Sequence, residues 1–468
     1  MAITFDQAAH LLRRAGFGGP SAEIDDLVAR GREGAVDFLI NYNQINNSAM
    51  ESLLASSFNF TDPGDINNGE IRRWWYTRMF TTKRQFEEKL TLFWHNHFAT
   101  SSAKVQDVFM FNQNNLLRAN ALARFDDLLL RVSQDAAMLI WLDNITNVLG
   151  NANENFAREL QELFTMGITD VVNGAENYTE QDVKEIARAF TGWNYQRRPP
   201  FAFQVNANQH DNGTKTIYGQ QSNFSGQDVI TILSAKPATA RYLTWKLFNF
   251  FVYPMTGSTE DKKTIDKFAT IYLNKDHSIK ELVRAIFTSD EFFSDRALFS
   301  LVKSPVELVV GAVRMLGANY NPGLPNNRGG SSVPPNSARN MGQDIFAPPD
   351  VAGWDFNLGW VNTASMLERF NYTNIFATNR NTANPGVSIS NDQLKSFTKS
   401  KAKKTVKKFL AALGPLDISG STRKTLQNYL ETGDNGQPAD FTNSDALIDK
   451  KVRGLVHQIM CLPEFQLN

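Results

Sequence analysis

From Thr4 to Ala15 the apolar residues recur with helical spacing. Phe5, Ala8, Ala9 and Leu12 share one face, while Asp6, His10 and Arg14 form a column on another. Thr4 and Gln7 make a capping-box pattern and Gly16 stops the helix. The same periodicity runs through most of the chain. It predicts a long helical stretch over 70–98, an interrupted one over 116–142, and a helix from Pro237 through Tyr242, Leu243, Leu247 and Phe251. Ser304, Pro305 and Glu307 form a clear helix start, and Gly317 closes that helix.

Two stretches break the pattern. Residues 201–219 alternate around Asp211-Asn212-Gly213 and read as a small β-hairpin. Residues 319–340 carry four prolines and three glycines in 22 positions and read as a long structureless loop, which is a lid, a binding loop or disordered. The expected fold is therefore mainly α: a large multi-helix domain with a small hairpin and long Pro/Gly/Asn-rich loops. A core domain over 1–380, holding hairpin 201–219 and loop 319–360, is expected to precede a C-terminal helical segment over 381–468. A faint internal repeat aligns Val283, Ile286, Glu291 and Phe292 with Val456, Ile459, Glu464 and Phe465, each set closing a helix before a turn.

The densest chemistry lies at 153–167. If 154–166 is one helix, Phe156, Leu160, Leu163 and Phe164 face the core, Glu154 and Arg158 point away, and Glu159 and Glu162 lie on the flank. Arg158 has Glu154 and Glu162 four residues to either side, the spacing of surface ion pairs. Covered by other segments, the same face would be a site. Glu159 would then be its least-paired acid, with a raised pKa and a histidine partner from another segment. Thr179 and Asp182 read as a helix cap, and Asp182 also borders a buried face. Over 86–98, His97 continues the apolar stripe of Phe86, Leu90 and Phe93, and His95 lies on another side beside Thr91 and Glu88. Two histidines at i, i+2 on a regular helix cannot share one metal ion. His210, Asp211 and Lys215 gather at a turn. Trp354 and Trp360 sit on loops, where tryptophan stacks on sugars or anchors the loop.

Composition narrows the classes. The 48 basic and 48 acidic residues cancel, so no global field favours nucleic acid or an anionic membrane. The lysines from Lys399 to Lys408 read as a solvated helix face. Cys461 is the only cysteine, which excludes disulfides within the chain and cysteine-based zinc sites. No run is long and apolar enough to span a membrane, and the start lacks the pattern of a signal peptide, so the cytoplasm is the expected location. No Walker motif, dinucleotide glycine fingerprint, His-Glu-x-x-His or Gly-x-Ser-x-Gly elbow is present.

Taken in order, several segments resemble a bacterial family filed as a domain of unknown function, number eighteen hundred. They are 10–18 (HLLRRAGFG), 93–98 (FWHNHF), 153–159 (NENFARE), 178–193, His210-Asp211, 237–241, Lys303-Ser304-Pro305, Met341-Gly342-Gln343 and 348–360. The resemblance covers about residues 5 to 375 and the end near Glu464-Phe465. It implies relatives that are often exported and often paired with a sulfatase-like enzyme family. Many relatives carry a histidine where this chain has Phe164, which weakens a metal site built there.

Two function classes follow. The first is an enzyme performing acid–base hydrolysis of a polymeric or glycosidic substrate. Its catalytic residues would be Glu159, Glu154, Arg158, Asp182 and His97, with substrate bound by His10, His210, Trp193, Trp354 and Trp360. A metal-dependent version would hold a divalent ion on His95, His97 and His210. The second is a non-catalytic binding or assembly protein working with a partner enzyme, its polar residues being a structural network.

Overall fold

A computed structural model describes residues 1–323, 333–380, 385–433, 435–439, 441 and 444–468. The chain is mainly α. The first helices are α1 (Phe5–Ala15), α2 (Ser21–Ile40), α3 (Ser48–Ser57), α4 (Asn68–Thr81), α5 (Gln85–His97), α6 (Asp107–Ala119), α7 (Phe125–Ser133) and α8 (Ala136–Trp141). There follow α9 (Asn155–Glu159), α10 (Glu180–Ala189), α11 (Gly226–Ser234), α12 (Pro237–Phe251), α13 (Thr259–Asn274), α14 (Ile279–Thr288), α15 (Pro305–Met315), α16 (Val333–Asn340) and α17 (Thr363–Thr378). The remainder holds α18 (Asn391–Phe397), α19 (Ala402–Ala412), α20 (Gly420–Leu430), α21 (Asp445–Leu447) and α22 (Arg453–Met460). No helix among the described residues is long and apolar enough to cross a membrane.

The capping boxes at Thr4–Gln7 and Ser304–Glu307 form as their sequences require. The lysines of α19 face solvent while Val406, Phe409 and Leu410 are buried, so that block is a solvated helix face. The repeat carries a parallel at the level of contacts. The carbonyl of Phe292 receives His10 Nε2, and that of Phe465 receives Lys303 Nζ.

Four expectations need correction. Residues 70–98 form two helices rather than one. Asn47 Nδ2 donates to Thr82 Oγ1 at 3.1 Å, Thr82 Oγ1 also takes the Arg84 N–H at 2.9 Å, and Asn47 Oδ1 takes the Lys83 N–H at 3.0 Å. Those side chains compete with the helical ladder and break it between α4 and α5. The 154–166 helix changes pitch, since Leu160–Thr165 is π-helical. Thr165 Oγ1 there reaches the Leu160 carbonyl, five residues back, at 2.6 Å.

The hairpin expected around 211–213 is replaced by two ribbons. Strand β1 (Trp193–Tyr195) pairs with β2 (Phe203–Val205), and β3 (Lys215–Ile217) pairs with β4 (Gln220–Ser222). The 211–213 turn is tied elsewhere. Arg188 grips Asp211 through two bonds, and buried Lys215 Nζ donates to the carbonyls of Asp211 and Gly213. The 319–340 stretch is not structureless either. β5 (Asn319–Asn321) pairs with β6 (Gly386–Ser388), and α16 opens with Pro334 and Pro335 in its first turn, where a missing N–H costs nothing. Residues 324–332 of that stretch lie outside the described residues.

Candidate functional site

The charged run at the start of α9 lies at the surface. Arg158 bonds Glu180 at 2.7 and 2.8 Å, Glu154 at 3.3 Å and Glu162 at 3.6 Å, all partly solvated. Glu162 also receives the Tyr178 hydroxyl. Glu159 stands apart, half-buried, with no hydrogen bond or ion pair among the described residues. Burial, and then the neighbouring Glu162, raise its pKa, opposed by Arg158. The expected histidine partner is not there. No hydrogen bond links Glu159 to His95, His97 or His210. Asp182 is consumed as a cap: Oδ2 accepts the Thr179 N–H at 2.9 Å and hydroxyl at 2.7 Å, and Oδ1 accepts the Tyr218 N–H at 2.7 Å.

His10, His95 and His97 are buried singly. His10 bonds the Phe292 carbonyl at 3.1 Å and stacks obliquely on Phe292, remote from the α9 charges in its contacts. His95 sits among Trp75, Phe346 and Trp354, and its Nε2 accepts the Phe346 N–H at 3.0 Å. An accepting Nε2 requires a neutral ring, and burial holds the pKa down at about 3. His97 lies among Phe93, Trp94, Phe98 and Phe164, with Nε2 3.1 Å from the Phe164 carbonyl. That carbonyl ends the π-helical turn and lacks a helical partner, so His97 Nε2–H caps it. Nδ1 is left as an acceptor with no hydrogen-bond partner among the described residues. Burial, with Lys246 nearby, lowers the pKa of His97 to about 3.

His210 gives Nδ1 to the Thr191 carbonyl at 2.8 Å. Among the described residues no three His, Cys, Asp or Glu side chains gather as metal ligands, so His95, His97 and His210 do not form the set expected of them. Trp193 packs in the core against Phe190 and Phe203.

The structure gathers a different set. Two adjoining cavities, of about 60 and about 40 Å³, share Asn96, Asn249, Phe250 and Phe356 in their walls. Together they form a groove between α5, α12 and the 352–360 segment. His97, Lys246 and Trp354 line the first cavity; Glu307, Asp355 and Trp360 line the second. Of the residues singled out in the sequence, His97, Trp354 and Trp360 thus meet here, while Glu154, Arg158, Glu159, Asp182, His10, His210 and Trp193 do not line it.

α5 is fixed through its N-terminal half, one turn before the groove residues. Buried Glu88 accepts from Arg78 at 2.7 Å, from Arg118 at 2.8 and 2.9 Å and from the Trp75 indole at 2.9 Å. Burial alone would raise its pKa, but the two guanidiniums outweigh this and hold it at about 2.

Lys246 is the unexpected member. It is half-buried and has no hydrogen bond or ion pair among the described residues; its nearest stabilising contact is the Tyr242 ring at 5.5 Å. Burial lowers its pKa to about 8. Asn96 and Asn249 are spent on the walls: Asn96 holds Trp354, and Asn249 bonds the Trp245 carbonyl and the Met255 N–H. A signal for Lys246 did exist, because it is the sole charge between Arg241 and Glu260.

Fold and groove together define a mainly helical protein with an aromatic-walled groove that holds one uncompensated lysine. Residues 10–467 match the model of a family described as a protein of unknown function (DUF1800), and the chain belongs to that family. No curated protein and no solved structure matches it.

Proposed function

We propose that the protein is an acid–base hydrolase whose reacting site is the α5–α12 groove, with Lys246 as the base. The observation that carries this reading is the unpaired Lys246 ammonium on the groove wall. A lysine desolvated without a counter-ion is a usable base near neutral pH, because the neutral amine is well populated close to its pKa. His97 lines the same cavity as Lys246. The first cavity has room for roughly two waters at ~30 Å³ each. Only the reacting end of a substrate enters it, and the rest lies outward over exposed Phe356, which suits a polymer better than a small molecule.

The test is competition labelling of all lysines with acetic anhydride against pH, read by mass spectrometry. Lys246 should reach half-reactivity near pH 8, well below the surface lysines. If it titrates with them, or never reacts, Lys246 is not the base.

A binding or assembly role is the second reading, favoured by the surface beside the groove. Phe356, Leu358, Val361, Leu367, Phe370 and Ile375 are all exposed within 20 residues, and Leu358 is 73 % exposed. So many exposed large apolar side chains in one stretch of chain favour an interaction surface. Light scattering of wild type against the Leu367→Arg, Ile375→Arg pair tests it. A complex lost in the variant supports an interface; equal masses at every concentration remove it.

A further inference from the structure

A second cavity, sharing no wall residue with the groove, lies where α1, α2 and the turn before α5 meet. It measures about 300 Å³. α2 is broken at Gly31 (φ 68°), so its two arms leave in different directions. Leu27 from the first arm and Phe38 and Leu39 from the second line the space with Leu12 of α1 and Ile45. The walls are fixed. Arg30 stacks on the Phe38 ring at 4.0 Å and holds Asp26 through two bonds of 2.8 and 3.2 Å. Gln85 ties Glu23 at 2.8 Å to the Phe17 N–H at 3.0 Å, and Arg84 holds the Ile45 carbonyl at 2.9 Å. A preformed apolar cavity of this size, with a few polar groups at its mouth, is what small-molecule sites look like.

The charges at the mouth do not balance. Asp26 is matched by Arg30, and Glu23 faces Arg314 at 3.8 Å. Lys83 also lines the cavity, and its exposed ammonium has no hydrogen bond or ion pair among the described residues. The uncompensated charge at the mouth is therefore positive, and the interior is apolar. We propose that this cavity binds an amphipathic carboxylate, its alkyl chain on Leu12, Leu27, Phe38, Leu39 and Ile45 and its head at Lys83. The volume equals that of roughly ten waters at ~30 Å³ each, which fits a chain of about eight to ten carbons.

The experiment uses the full chain with N-phenyl-1-naphthylamine as fluorescent reporter and decanoate and decanol as competitors. Decanoate should displace the reporter saturably. Ala22→Trp, at an exposed position on the cavity wall, should abolish displacement. Lys83→Glu should weaken decanoate by about fivefold, the scale of an exposed ion pair, and leave decanol unchanged. Photocrosslinking of wild type with a diazirine-bearing decanoate gives a readout independent of the variants, and its adducts should map to residues 12–45 and 83–85. Absent displacement, or adducts mapping elsewhere, overturns the site. Equal effects of Lys83→Glu on decanoate and decanol overturn the carboxylate.

Discussion

Trp354 donates its backbone N–H to Asn96 Oδ1 at 2.7 Å, so a loop tryptophan is hung on the helix that carries the groove histidine, His97. The residue before it makes the approach close. Gly353 has φ 87°, and a Cβ there would stand 2.3 Å from Asn96 Oδ1 and 2.6 Å from its carbonyl oxygen.

Gly353→Ala therefore meets two obstacles, a left-handed backbone and the Asn96 backbone carbonyl, which cannot yield. We expect a loss of about 2–4 kcal/mol in urea unfolding, with Trp354 fluorescence changing in the native state. A variant as stable as wild type, with unchanged emission, would show that the loop is not seated on α5 in this way.

Lys246→Met should stabilise the protein at neutral pH. The folded pKa is about 8, against an ordinary value of 10.5. Between those values the unfolded chain keeps a proton that the folded chain has released, so wild-type stability rises with pH across this window. Below pH 8 the folded state bears the whole cost of the desolvated ammonium. Methionine removes that cost, so the variant's advantage should be largest at pH 7, shrink from pH 8 upward and vanish near 10.5. Urea midpoints of both proteins at pH 7 and 10.5 decide it. An advantage that does not change with pH assigns the effect to packing alone.

What the sequence made legible was local. The caps at Thr4 and Ser304, the solvated face of α19 and the burial of His97 away from His95 all follow from spacing within one helix. The pairing of Arg158 with Glu154 and Glu162 was visible for the same reason. The groove was not legible, because it is made of several segments far apart in the chain, and periodicity carries no information about which helices meet. Lys246 shows the difference. Its isolation among apolar neighbours is written in the sequence, but its lack of a counter-ion is a property of the packed structure. The hairpin expected around 211–213 failed for a related reason, since Arg188 on α10 captures Asp211 and ties the turn to a helix.

Glu159→Gln should leave the fold intact. Burial and Glu162 raise the pKa of Glu159, so its ionised form is disfavoured in the folded state. A carboxylate with a raised pKa stabilises fully below its unfolded pKa, and that contribution is lost as pH rises through the folded value. Glutamine keeps the neutral shape at every pH. The variant should thus match wild type within about 0.5 kcal/mol at pH 7, with the Lys246 labelling profile unmoved. A loss above about 1 kcal/mol would reveal a structural partner for Glu159. A shifted Lys246 profile would couple the α9 surface to the groove.

The buried histidines predict acid sensitivity. His95 and His97 both titrate at about 3 when folded, because burial disfavours the charged ring, against an ordinary 6.5. Between those values the unfolded chain binds protons that the folded chain refuses, so stability falls as pH drops below 6.5. Each ring accounts for a loss of roughly 2 kcal/mol between pH 7 and pH 5. His95→Gln separates this from packing. Glutamine retains an acceptor for the Phe346 N–H but does not titrate. At pH 7 it should cost about 1–2 kcal/mol through poorer contact with Trp75, Phe346 and Trp354. At pH 5 that deficit should close or reverse, because wild type alone must then hold His95 unprotonated against the solvent. Urea unfolding of both proteins at half-unit steps from pH 5 to 7 measures the convergence. Curves that stay parallel would mean that His95 is protonated in the folded state, and that its Nε2 does not accept from Phe346.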